Sequence, residues 1–193
     1  MTYCVGIKVK AGLVFASDSR TNAGVDQVST YSKMHVFERP GERVFVVLSA
    51  GNLATSQAVI HSLRREFKDP AGVGLGAVGD VFEAAEHLGD VSYRVQKEHA
   101  DALERSGVSA EARFIIGGEV AGAGHEICLA YPQAHYISPT PAPPYLPLGE
   151  TKYRQPILAR ITAAHTTPDD PSRLAPPSPD PPHPRTPPPA PLP

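Results

Sequence analysis

The chain lacks an excess of charge of either sign, lacks a long apolar run and is poor in cysteine, and each shortage excludes a class of function. Eighteen basic against 20 acidic side chains leave a net charge of −2 and a pI of about 6.4. That balance offers no electrostatic footprint for nucleic acid or for an anionic membrane surface. There is no 18-residue apolar segment, and no basic stretch followed by an apolar run at the N-terminus. Neither a membrane span nor a secretion signal is expected, and the expected compartment is the cytoplasm. Cys4 and Cys128 are the only cysteines, far apart and each inside an apolar strand-like run; they read as buried thiols rather than a disulfide or a metal pair. His61, His87, His99, His125 and His135 show no metal-ligand spacing such as His-Glu-x-x-His. The glycines from Gly117 to Gly124 lack the Lys-Ser/Thr ending and the following helix of a phosphate loop, and read as a hairpin turn. No metal and no cofactor is expected.

What is present fits one domain with a substantial core and a tail, since 193 residues are too few for two comfortable domains. Tyr3, Val5, Ile7 and Val9 alternate with smaller or polar residues, a period of two that predicts a strand. After a turn at Lys10-Ala11-Gly12, the apolar run Leu13-Val14-Phe15-Ala16 predicts a second, antiparallel strand ending at Ser17-Asp18. With the turn centred near Ala11, Asp18 falls opposite Cys4, about 7 Å along the strand from Thr2. Val36-Phe37, a Pro40-Gly41 turn and Val44 to Leu48 predict the next hairpin, which ends at Ser49-Ala50-Gly51. Asn52 is placed to cap a helix that runs to Lys68, and a second helix is expected from Asp80 to a stop at Ser106-Gly107. Residues 113–116, 125–131 and 135–138 read as three further strands in a meander, with a turn at Pro132-Gln133. Strands, two helices and strands again describe an α+β domain in which helices cover an antiparallel sheet. From residue 162 proline makes up more than a third of the chain and apolar periodicity vanishes. The domain is therefore set at 1–161, and 162–193 is expected to be a disordered or polyproline-like tail.

Thr2 follows the initiator methionine directly. A small second residue permits removal of Met1, which would expose an α-amine beside the Thr2 hydroxyl, and such an amine is a recognised activator of a threonine nucleophile. An α-amine titrates ordinarily near 7.7–8.0, so it can be neutral near physiological pH and relay the hydroxyl proton. A neighbouring ammonium, Lys33, would disfavour a second positive charge there, and Asp18 would hold Lys33 through a charge-assisted hydrogen bond. The Gly51 N–H, at a strand end opening a helix, suits donation to an oxyanion. Each residue alone has an ordinary structural role: Asp18 as a strand-end cap, Lys33 as a surface side chain, Gly51 as a tight junction. The combination carries the argument.

In order and spacing, Thr2, Val5-Gly6-Ile7, Ala16-Ser17-Asp18, Lys33 and Ser49-Ala50-Gly51 resemble the proteasome-type threonine peptidases of the N-terminal nucleophile hydrolase superfamily. The segment from Phe15 to Gly24, Met34-His35-Val36-Phe37, Ser49 to Ala54, Tyr131-Pro132-Gln133 and Gly149-Glu150-Thr151-Lys152-Tyr153 look like its bacterial Anbu, or ancestral β-subunit, branch. The resemblance implies a layered αββα sandwich, incomplete at its C-terminus. It also implies Thr2 as nucleophile and base, Asp18 and Lys33 as its supports, Gly51 as an oxyanion donor, and a homo-oligomeric ring or open spiral that cleaves a peptide or other amide. In that family the chain continues through further helices and strands that complete the second sheet and bring an Asp and a Ser close to the amine. Here Glu150 stands where proteasome β-subunits carry a Ser, and the Pro/Arg/Ala/His bias of the tail resembles a GC-rich gene read in a wrong frame. A frameshifted or mis-called terminus is the expectation. The alternative in a different functional class is a catalytically silent, self-assembling subunit.

Overall fold

The computed structural model describes residues 2–9, 11–22, 28–69, 73–105, 107–131, 135–140 and 144–149. Met1, the Pro132-Gln133 turn, Glu150 and the proline-rich stretch from 162 lie outside the described residues.

β1 (Tyr3–Val9) and β2 (Gly12–Ser17) form the expected hairpin, with Cys4 opposite Ser17. The register corrects the expected one by a single residue: Asp18 faces Tyr3, not Cys4, and its N–H donates to the Tyr3 carbonyl at 2.9 Å. A short ribbon of β3 (Arg20–Asn22) and β4 (Val28–Thr30) follows. β5 (Met34–Arg39) and β6 (Arg43–Gly51) pair across Pro40-Gly41. β7 (Ala112–Val120), β8 (Gly124–Ala130) and β9 (Tyr136–Ile137) extend this pair into an antiparallel five-stranded sheet of order β5-β6-β7-β8-β9.

Between β6 and β7 lie the two expected helices, α1 (Leu53–Lys68) and α2 (Val81–Glu104). The Asn52 Oδ1 accepts the Thr55 N–H at 3.1 Å and the Asp80 Oδ1 accepts the Glu83 N–H at 2.9 Å, so both N-termini are capped by the residues the sequence singles out. The connection between the helices is pinned from β5 and β6. Arg39 donates to the Phe67 and Gly76 carbonyls, and Arg43 to the Val78 carbonyl at 2.8 Å.

These elements stack in layers. Val59, Leu63, Ala84, Leu88 and Val91 of the helices bury one face of the five-stranded sheet through Phe45, Val47 and Ile116. Leu48, Ile115 and Ile127 on the opposite face meet Cys4, Leu146 and Leu148 of a three-stranded sheet of order β10-β1-β2. The outer face of that smaller sheet carries Tyr3, Val5, Ile7 and Tyr145, all buried. The chain is thus an α+β fold with two antiparallel sheets face to face and helices over one of them.

Besides the β3–β4 ribbon, which the sequence reading does not contain, two elements differ from the expectation. β10 (Tyr145–Gly149) pairs antiparallel with β1, Tyr3 facing Gly149. Pro147 conceals it in the sequence and is tolerated because, among the described residues, β10 is an edge strand with an unpaired side. Gly117 and Gly118 are not a turn but the middle of β7, and the reversal is confined to 121–123. A Cβ on Gly118 would overlap the Val44 carbonyl, so close approach of strands is what demands glycine there.

Candidate active site

Four separate segments deliver the candidate residues to one end of the paired sheets. Thr2 precedes β1 and is half-buried, Asp18 follows β2, Lys33 precedes β5 and Gly51 ends β6. The Lys33 ammonium donates to Asp18 Oδ1 at 2.8 Å, and the Tyr3 N–H donates to the same oxygen at 3.0 Å. Together with the Asp18 N–H to Tyr3 carbonyl bond, Asp18 grips both backbone polar groups of the residue after Thr2. The pair is nearly dehydrated, with side-chain exposures of 6% for Lys33 and 10% for Asp18. A charge-assisted bond in so dry a setting is short and orienting rather than a surface ornament.

Gly51 is linked to this group through Ser49. The Ser49 N–H donates to the Lys33 carbonyl at 3.0 Å, and its carbonyl accepts the Cys4 thiol at 3.7 Å. Strand alternation directs the Gly51 N–H to the same edge as that of Ser49, beyond the point where β5 begins. Gly51 has φ +104, and a Cβ there would collide with the Glu111 carbonyl; only glycine fits without strain. The Asn52 N–H holds that same carbonyl at 2.8 Å, which fixes the strand-to-helix junction.

Gly149 closes the site from the other side, at the end of a strand that no periodicity in the sequence announces. It faces Tyr3, adopts φ +98, and a Cβ on it would overlap the Thr2 carbonyl. The usable signal was the Gly149-Glu150-Thr151-Lys152-Tyr153 segment rather than any strand periodicity. Cys4 lies two residues from Thr2, yet burial pushes its thiol up to about 12, with Asp18 adding to the rise and Lys33 partly opposing it. It stays a neutral thiol and does not compete as a nucleophile.

A cleft of about 540 Å³ opens between Tyr31, two residues before Lys33, and α1, lined by Ala54, Gln57, Ala58, His61 and Arg64. His35 is buried behind it, its Nδ1 3.4 Å from Arg64 Nη2. Burial, with the Arg64 charge second, pulls His35 down to about 4, so the ring is neutral near pH 7. Among the described residues no group of three or more His, Cys, Asp or Glu could hold a metal, and no helix is long and apolar enough to cross a membrane.

Solved structures with a similar fold exist. Anbu (ancestral beta-subunit) from Yersinia bercovieri is 42% identical over 83% of this chain, with a TM-score of 0.76. The helical assembly of the Anbu complex from Pseudomonas aeruginosa is 42% identical over 82%, again with a TM-score of 0.76. Anbu from Hyphomicrobium sp. strain MC1 is 38% identical over 82%, with a TM-score of 0.70. The chain spans 65% of the length of each of these three proteins. No protein-family model and no curated protein matches it. Fold and neighbours define a proteasome-like subunit of the N-terminal nucleophile hydrolase type. Within that class, the chain belongs to the Anbu family.

Proposed function

We propose that this chain is a threonine peptidase or amidohydrolase subunit that cleaves peptide or other amide bonds through an ester on Thr2. The observation that carries the proposal is the dehydrated Lys33–Asp18 pair, which holds the backbone of the residue next to Thr2. After an aminopeptidase removes Met1, the free Thr2 amine accepts the proton of its own hydroxyl as Oγ1 attacks the substrate carbonyl. The Lys33 ammonium holds that amine neutral, Asp18 holds Lys33, and the Gly51 N–H donates to the developing oxyanion. The protonated amine passes its proton to the departing amine of the substrate, leaving an acyl ester. Water, deprotonated by the same amine, then releases the acid. The cleft beside Tyr31 suits the side chain of the residue being cut.

The relative from Pseudomonas aeruginosa forms a helical assembly, and we propose that this chain also self-associates, as a ring or open spiral in the cytoplasm. The buried outer face of Tyr3, Val5, Ile7 and Tyr145 supports closure of the fold by a second helical layer, as an αββα sandwich.

Mass spectrometry after exposure to a peptide epoxyketone or a β-lactone tests the chemistry. A single adduct on Thr2, lost in Thr2→Ala and in a protein with an uncleaved N-terminal extension, is the expected result. No adduct at high electrophile concentration on protein shown to begin at Thr2 would overturn it.

A further inference from the structure

The cleft between Tyr31 and α1 holds a guanidinium and, among the described residues, no carboxylate in its lining. That guanidinium belongs to Arg64. Lys33 and Arg113 each face an acid, and Arg39 and Arg43 are taken up by backbone carbonyls, whereas Arg64 forms no ion pair among the described residues. Its Nη2 meets His35 Nδ1 at 3.4 Å instead. The His35 ring is neutral near pH 7, so this contact orients the guanidinium without cancelling its charge. His35 is itself held in place: it is buried, and its ring centroid lies 6.1 Å from that of Tyr31 on the opposite wall of the cleft. It also stands two residues after Lys33, about 7 Å along an extended chain. Arg64 is thereby anchored to the same strand that delivers the Lys33–Asp18 pair.

We infer that Arg64, oriented by His35, makes this cleft select an acidic side chain on the substrate residue whose carbonyl is attacked. The inference rests on the proposed Thr2 chemistry and deepens it by naming the substrate class, peptides cut after glutamate or aspartate. A guanidinium presents paired N–H donors in the geometry that a carboxylate accepts, and such charge-assisted bonds are about twice as strong as neutral ones. The Gln57 amide adds a further donor on the same wall. A lysine or arginine entering the cleft would meet a like charge with no acid to offset it. A leucine would gain the apolar surface of Ala54, Ala58 and Ile60 but would leave the guanidinium without the partner an acid supplies. Selectivity is the difference between these cases, and it favours the acid on both counts. The volume of about 540 Å³ falls within the range of about 300–1,000 Å³ usual for ligand sites, so the cleft admits a long side chain such as glutamate together with adjoining backbone.

Intact-mass measurement of the rate of Thr2 labelling tests the inference, using three peptide epoxyketones that differ only in carrying Glu, Leu or Lys next to the reactive group. The full chain is compared with Arg64→Met and Arg64→Glu, and because Arg64 is exposed, melting curves report whether either variant loses its fold. The parent is expected to react with the Glu compound at least tenfold faster than with the Leu compound, and slowest with Lys. Arg64→Met should abolish that preference and Arg64→Glu should reverse it in favour of Lys. A general loss of structure would slow all three compounds together and could not invert their order. Leu or Lys compounds that label the parent as fast as Glu, or a Glu preference that survives Arg64→Glu, would overturn the assignment while leaving Thr2 as the nucleophile. No labelling by any of the three on protein shown to begin at Thr2 would overturn both.

Discussion

Lys33→Met keeps the aliphatic stem and removes the ammonium, leaving the Asp18 carboxylate with the Tyr3 N–H but without its countercharge. At the observed 2.8 Å separation, the attraction is about 6 kcal/mol gross at an effective dielectric of 20. Most of that is offset by the desolvation both groups suffer on folding. Breaking a buried pair from one side typically costs about 3–5 kcal/mol, and the small residual exposure of Asp18 sets the expectation at about 3 kcal/mol. Asp18→Asn preserves shape and the acceptor for Tyr3 but removes the carboxylate charge that faces the lysine, with an expected loss of about 2 kcal/mol. In the double variant neither charge is left alone, so the losses do not add, and a coupling of about 1–3 kcal/mol is expected. Urea denaturation of the four proteins measures it directly. Losses that sum to within about 0.5 kcal/mol would show that the pair does not act as a unit, and would remove the structural basis for the proposed activation of Thr2.

Other consequences concern single residues around the site. Gly51→Ala places a side chain at φ +104 against the Glu111 carbonyl; a loss of about 2–4 kcal/mol by denaturation is expected, together with loss of electrophile labelling at Thr2. His35 has a folded pKa of about 4, below its ordinary 6.5, so its contribution is fully present above pH 6.5 and is lost as pH falls through 4. The unfolding free energy of the parent, from urea denaturation, should decline over that window more steeply than that of His35→Gln, by an amount on the order of 3 kcal/mol. Burial pushes the thiols of Cys4 and Cys128 up to about 12 and about 11, so both should resist iodoacetamide at pH 8 in the folded protein and react on denaturation. Rapid labelling of either without unfolding would contradict the burial.

The parts of the fold legible in the sequence are those that local patterns alone determine. Asn52 and Asp80 cap the helices because their side chains reach the backbone three residues ahead, a relation contained in a few consecutive positions. The apolar spacing of Val81, Ala84, Ala85, Leu88, Val91 and Val95 likewise names the buried face of α2 without reference to its partner. What the sequence hides is set by distant neighbours. The Tyr145–Gly149 strand exists because β1 offers it a ladder, and its proline is harmless only at an edge. Gly117 and Gly118 look like a turn until the closeness of β6 and β8 explains them. At the candidate site, residue types and order pointed to Asp18 and Lys33. The register that faces Asp18 to Tyr3 required knowing the turn to within one residue, a precision that Lys10-Ala11-Gly12 does not contain.

That one-residue difference matters to the chemistry. With Asp18 opposite Cys4, the carboxylate would have addressed the strand one position further in, beside the Cys4 thiol. Opposite Tyr3, it binds the N–H of the residue that follows Thr2 and so limits the freedom of the chain's end. Gly149 adds a second restraint from the far side, since its lack of a Cβ is what lets β10 close over the Thr2 carbonyl. Tyr3 and Gly149 stand 146 positions apart in the chain, so the second restraint is long-range and costs loop-closure entropy to form. A terminal residue with only the Asp18 restraint would sample many orientations, and proximity catalysis depends on few. Gly149→Ala should therefore reduce the rate of electrophile labelling at Thr2 even where the Asp18–Lys33 pair is intact. The expected result is slower adduct formation alongside an unchanged Asp18/Lys33 coupling energy. Labelling at the parental rate in Gly149→Ala would mean that Asp18 and Lys33 orient Thr2 without help from β10.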